Sequence, residues 1–148
     1  MKKAIIVSGA PGTGKTTIAK KISKEKNYEY VDINDIIKEN KLKDSYDKKR
    51  KSIIVDVKKL NKILIDLINK SKKPLVIDGH LSHCLPKEYV KTCFITKCDL
   101  KTLKQRLEKR KYSKAKIREN LDAEIFDTCR VEALENGHKV RVVDTTKS

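Results

Sequence analysis

Gly9, Gly14, Lys15 and Thr16 stand at the spacing G-x-x-x-x-G-K-[ST] inside the stretch GAPGTGKTT, residues 9–17. These residue types suit the binding of a polyphosphate. Glycines let successive backbone N–H groups turn inward around an anion, and a helix that starts there adds partial positive charge. The lysine ammonium reaches the outer phosphates, and the threonine hydroxyl suits Mg2+. A chance glycine-rich turn is the competing reading. The flanks argue against it, because apolar AIIVS precedes the loop and helix-like IAKKISKEK follows. The expected ligand is a nucleoside triphosphate.

Magnesium in such a site needs an acid from the end of a neighbouring buried strand. Asp78 closes the apolar run PLVID and fills that place, although a plain turn aspartate would look the same. His80, two residues on, falls where the strand opens and can face the terminal phosphate. Phosphoryl transfer also rests on charge neutralisation, so arginines should close over the phosphates. Arg106 and Arg110 lie four residues apart and share a helical face, just before a polar break, KYSK, that reads as a short lid. A solvated basic face is the alternative for either arginine. Arg110, at the edge of the break, is the preferred one.

Elements that could hold these residues follow in strict alternation. KAIIVS, YEYVDI, LVIDGH, KTCFITKC and KVRVVD read as five strands. Helices are expected after the glycine loop, over NDIIKENK, over 55–69, from Asp99 as N-cap, and as one long helix on Ile117, Leu121 and Ile125 that stops near Gly137. Leu100, Leu103 and Leu107 are expected to face inward, and residues 41–52 to form an exposed polar loop. The alternation predicts an α/β fold of three layers: a five-stranded parallel sheet with helices on both faces. Ligands in such folds bind beyond the carboxyl ends of the strands. The 148 residues suit one domain, 1–148.

Composition narrows the setting. No run of eighteen apolar residues occurs, so no membrane span is expected. The short apolar run after Lys3 reads as a first strand rather than a signal peptide, and a cytoplasmic location is expected. The four cysteines (84, 93, 98 and 129) form no C-x-x-C pair and read as reduced structural thiols. His80, His83 and Cys84 match no standard zinc spacing. Net charge is +16, and nine basic residues with one acid, Glu108, lie between Lys101 and Arg118. That charge fits RNA or another polyanion, and it fits equally a lysine-rich solvated surface.

GAPGTGKTT, IDGH and RLEKRKYSKAKIRENLDAEIF together resemble the adenylate kinase isoenzyme 6 family over nearly the whole chain. The P-loop is generic; the D-x-H element and the lid run are the specific part. The resemblance implies a nucleoside-monophosphate kinase fold. It implies a triphosphate site of Gly12, Gly14, Lys15, Thr16 and Thr17, a lid over 109–119 with Arg110 on the triphosphate, and a monophosphate segment over 32–55. It ties Asp78 and His80 to ATPase activity. It also implies adenylate kinase activity on ATP and AMP and a small-subunit ribosomal protein as partner, which would bring the protein near rRNA. Within the monophosphate segment, Asp32 begins the segment, Lys38 replaces an arginine typical of the family, and Arg50 is the candidate to stand in for it. A monomer is expected.

Four readings remain open at this level: a monophosphate kinase, an assembly ATPase, an RNA-binding module that senses nucleotide, and a small-metabolite kinase. Lys15, Thr16, Asp78 and the lid arginines form a catalytic set and favour the first two. The last would lack the D-x-H and lid signatures.

Overall fold

The computed structural model describes residues 2–47 and 52–147. Strand β1 (Ala4–Ser8) is buried along its whole length. It sits at the centre of a five-stranded sheet ordered β2-β5-β1-β6-β7, with β2 at Glu29–Asp32, β5 at Leu75–Asp78, β6 at Val90–Lys97 and β7 at Val140–Asp144. All four pairings in this sheet are parallel.

Side chains alternate across β1. Ile6 joins Leu60, Leu64, Ile77 and Ile95 in the larger core, while Ile5 and Val7 join Val76 and Ala19 in the second. The period of two therefore feeds two apolar layers, one on each face. Helix α1 (Lys15–Lys26) covers one of them; α3 (Val57–Lys70) buries Leu60, Leu64 and Ile68 against the other.

Helix starts are marked by short polar residues that satisfy otherwise orphaned N–H groups. Asp32 caps α2 (Ile33–Glu39), Asp56 caps α3, Asp99 caps α4 (Leu100–Lys109) and Ser113 caps α5 (Lys114–Ile125). Leu103, Leu107 and Cys98 pack with Tyr112, Ile117 and Leu121, which fixes the root of the 109–119 segment.

Three expectations are corrected. Residues 41–52 are not one loop: β3 (Lys43–Asp47) pairs antiparallel with β4 (Ser52–Val55) as a separate two-stranded sheet, so LVIDGH is the fifth strand in chain order. The long C-terminal helix is two, α5 and α6 (Thr128–Glu135), parted by Asp127 at φ 56°. Leu100 is 42% exposed, because the first turn of α4 lies beyond the core that takes Leu103 and Leu107. Gly137, at φ 83°, does follow the last helical turn as expected. Arg50 and the Lys48–Lys51 patch lie outside the described residues. Among the described residues no helix is long and apolar enough to cross a membrane.

Candidate active site

The glycine loop connects the carboxyl end of β1 to α1. Gly12 and Gly14 take φ of 88° and 87°, a region that side chains with a β-carbon rarely enter. The loop is pinned from behind. The Thr13 hydroxyl bonds Ala10 O (2.6 Å) and the Thr96 hydroxyl of β6 (2.7 Å), and the Thr145 hydroxyl donates to Thr13 O (2.5 Å). Lys15 folds over the loop, with Nζ donating to Ala10 O at 3.3 Å. Burial lowers its pKa, and the charge of Asp78 works against that shift.

Asp78 ends β5, which is bonded to both β1 and β2, and it is 3% exposed. Thr16 Oγ1 donates to its Oδ2 at 2.8 Å, and Tyr30 Oη donates to the same oxygen at 2.7 Å. Burial raises the pKa of Tyr30, and its bond to Asp78 adds to this, so the phenol stays a donor. Asp32 is the register partner of Asp78 across β2 and β5. Burial raises the pKa of Asp32, and the Asp78 charge adds to that; its cap bond to Asn34 N opposes both.

The donor set suits magnesium. Thr16 and Asp78 offer hard oxygens, and Mg2+ keeps its remaining positions for phosphate oxygens and water. Thr16 and Asp78 are the residues that would hold it. When bound it would neutralise phosphate charge.

His80 is exposed at its surface, yet loss of hydration pushes its pKa down to about 4, helped by the charges of Lys15, His83 and Lys116. Its imidazole is therefore neutral near pH 7. A 3-10 turn, Ser82–Cys84, follows.

The two arginines part company. Arg106 donates to Gly12 O (3.2 Å), Thr145 Oγ1 (3.3 Å) and Thr145 O (2.6 Å), so it ties α4 to the loop backbone. Arg110 caps the C-terminus of α4 and is exposed. Both arginines line a cavity of about 340 Å3 with Gly12, Gly14, Thr17 and Ile18. Lys38 lies in the last turn of α2 and is exposed, and its charge acts on Asp32. A larger cavity, about 630 Å3, is lined by Glu29, Leu67, Lys70 and Leu75. It borders the starts of β2 and β5, whereas Asp78 ends β5, and it contains none of the predicted site residues.

The structure thus brings Lys15, Thr16, Asp78 and Asp32 together around the loop and sets Gly12, Thr17, Arg106 and Arg110 around the adjoining cavity. Sequence reasoning missed Tyr30 and Thr145. Their partners lie 48 and 132 residues away, and no local pattern marks either.

A family model described as an AAA domain matches residues 5–127. The chain is 38% identical over 142 residues to "Putative adenylate kinase" of Methanocaldococcus jannaschii, covering 96% of this chain and 76% of that protein. It is 37% identical over 133 residues to "Adenylate kinase isoenzyme 6 homolog FAP7" of Saccharomyces cerevisiae, covering 89% of this chain and 66% of that one. Among solved structures, a gluconokinase from Sinorhizobium meliloti superposes with a TM-score of 0.57 at 15% identity, over 99% of this chain and 85% of that one, which speaks for the fold alone. The D-x-H element, the lid run and these relatives agree: the chain belongs to the adenylate kinase isoenzyme 6 family of P-loop proteins.

Proposed function

We propose that this protein is an adenylate kinase-like phosphotransferase that moves the γ-phosphoryl group of ATP, with Mg2+, to AMP or a similar monophosphate, and to water in an ATPase reaction. The observation that carries the reading is the Thr16–Asp78 hydrogen bond of 2.8 Å beside Lys15. It supports reading the two as a metal-binding pair beside the loop amides and lysine that would receive phosphates. Residues 1–148 are read as one domain, with the monophosphate segment at 32–55 and the lid at 109–119.

Roles follow from placement. Loop amides, Lys15, Thr16 and Thr17 hold the phosphates. Arg110, which lines the cavity, neutralises charge as it shifts in transfer, and Arg106 holds the wall against the loop. Asp32 and Lys38 serve the monophosphate, and the family resemblance, rather than placement, adds Arg50. In the kinase reaction a phosphate oxygen of AMP forms the new bond to the γ-phosphorus as the bond to ADP breaks, giving two ADP. In hydrolysis water attacks instead, giving ADP and inorganic phosphate. The neutral His80 ring has a nitrogen free of a proton, which suits it to orient that water.

A second reading, an assembly ATPase acting on a small-subunit ribosomal protein near rRNA, is favoured by one observation. The basic run of α4 and the start of α5 is mostly solvent-facing, with Lys101, Lys104, Lys109, Arg110, Lys111, Lys114 and Arg118 exposed. Product analysis separates the two. Two ADP per AMP consumed supports the kinase; ADP and inorganic phosphate without AMP dependence supports the ATPase. No turnover of ATP in either assay overturns both.

A further inference from the structure

His83 is 3% exposed and lies three residues beyond His80 in the connection after β5. Its Nδ1 is 2.8 Å from the hydroxyl of Ser8, the last residue of β1 and the neighbour of Gly9. That hydroxyl also donates to the backbone carbonyl of His80 at 3.2 Å. A serine hydroxyl has one proton and a carbonyl has none to give. With Ser8 donating to His80 O, the hydroxyl is left to accept from His83 Nδ1. The backbone of His83 is anchored in turn. Its carbonyl accepts from Asn136 Nδ2 (2.9 Å) and from His138 Nε2 (2.8 Å), both just past α6.

We infer that His83, as the neutral Nδ1–H tautomer, is a positioning residue: through Ser8 it fixes the carbonyl of His80, and so the aim of the His80 ring, relative to the glycine loop. Neutrality fits the surroundings. Burial lowers the His83 pKa, the nearby Glu132 of α6 opposes this, and His138 adds to it. His83 in turn acts on His80, where a charge on it would lower the pKa. Glu132 Oε1 is 3.6 Å from Nε2, too long for a hydrogen bond, so the ring is directed by its Nδ1 side.

The inference rests on the proposed phosphoryl transfer, and the test keeps the two apart. Asparagine places an amide N–H where Nδ1 lies, whereas glutamine reaches toward Nε2. H83N should keep kcat for ATP hydrolysis within about threefold, and H83Q and S8A should each lose about tenfold or more, the scale of a misplaced reacting group. KM for ATP should stay unchanged in all three. In the His80→Ala background, H83Q should cost nothing further, because its effect passes through His80. Melting curves check folding, and S8A carries the test if H83Q does not fold. Equal losses in H83N and H83Q, or the same loss from H83Q with and without His80, overturn the inference. A wild-type protein with no ATP turnover overturns the proposed function instead.

Discussion

Thr16 and Asp78 are 62 residues apart in the chain and share a hydrogen bond of 2.8 Å. One opens the helix after the glycine loop and the other closes a strand beside it, so parallel pairing of β1 with β5 is what joins them. Tyr30 donates to the same carboxylate oxygen from the next strand out. The carboxylate is thereby oriented from two sides before any ligand arrives.

Removing the lysine tests the phosphate site most directly. Lys15→Ala should lower both ATP hydrolysis and AMP phosphorylation by about 100-fold or more. Its melting temperature should not fall, since the substitution removes a desolvated cation that holds Ala10 O by a long 3.3 Å contact. Near-normal turnover in the folded variant would sink the assignment.

Tyr30 and Asp78 should separate in degree. Tyr30→Phe removes one donor from a buried carboxylate and should cost about 1–2 kcal/mol of stability, with a modest fall in kcat. Asp78→Ala removes the proposed metal anchor and should abolish magnesium-dependent turnover. Urea midpoints and kcat for both variants decide it; a Tyr30→Phe protein as inactive as Asp78→Ala would make the phenol part of the chemistry.

Arg106 and Arg110 should fail differently. Arg106 supplies donors to two carbonyls and a hydroxyl, so Arg106→Ala should lower the melting temperature as well as ATP affinity. Arg110→Ala should leave melting unchanged and lower kcat by about 100-fold with a smaller change in ATP affinity. A shift confined to ATP affinity would give Arg110 a ground-state role only.

How much of this was legible in the sequence depends on range. Strands built from dense apolar runs were readable, because burial on both faces demands continuous Ile, Val and Leu. The β3–β4 hairpin was not, since KDSYD has no apolar alternation and its pairing with SIIV is set by the partner strand. The break between α5 and α6 was hidden by the Ile117, Leu121, Ile125 repeat. Ile125 is 51% exposed, and Asp127 is held in its left-handed turn by ion pairs to Lys97, 30 residues earlier, and to Arg130. Lys15, Thr16 and Asp78 were visible because their chemistry needs fixed residue types. Tyr30 was invisible because any half-buried strand tyrosine looks the same until its partner is known.

Acid should destabilise the fold as pH falls from 7 toward 5. The folded pKa of His80 is about 4 and that of His83 is also below the ordinary 6.5. In this window the unfolded chain binds protons that the folded chain refuses, so stability is fully present above 6.5 and falls as pH drops toward the folded values. Asp32 and Glu124, whose pKa values burial raises, act with the opposite sign and mainly at lower pH. Urea midpoints at pH 7 and pH 5 should differ in that direction, and His83→Asn should reduce the difference. A midpoint that is unchanged or higher at pH 5 would contradict the neutral histidines.

The net charge of +16 makes a last prediction about partners. If the exposed basic face of α4 and α5 holds RNA, affinity must fall steeply with salt, because each neutralised phosphate releases counterions. For single strands the slope of log affinity against log salt is about −0.7 per contact, so a slope steeper than about −3 means several lysines act together. ATP gives the sharper comparison. Arg106, Lys109 and Arg110 line the cavity beside the glycine loop, so bound nucleotide should displace RNA held there. RNA held at Lys48–Lys51 should be indifferent to ATP. Filter binding of small-subunit rRNA fragments at 50 and 150 mM salt, with and without ATP, reads both effects. Retention that ignores salt, or none at either concentration, would leave the lysines as a solvated surface and make a protein the partner to look for.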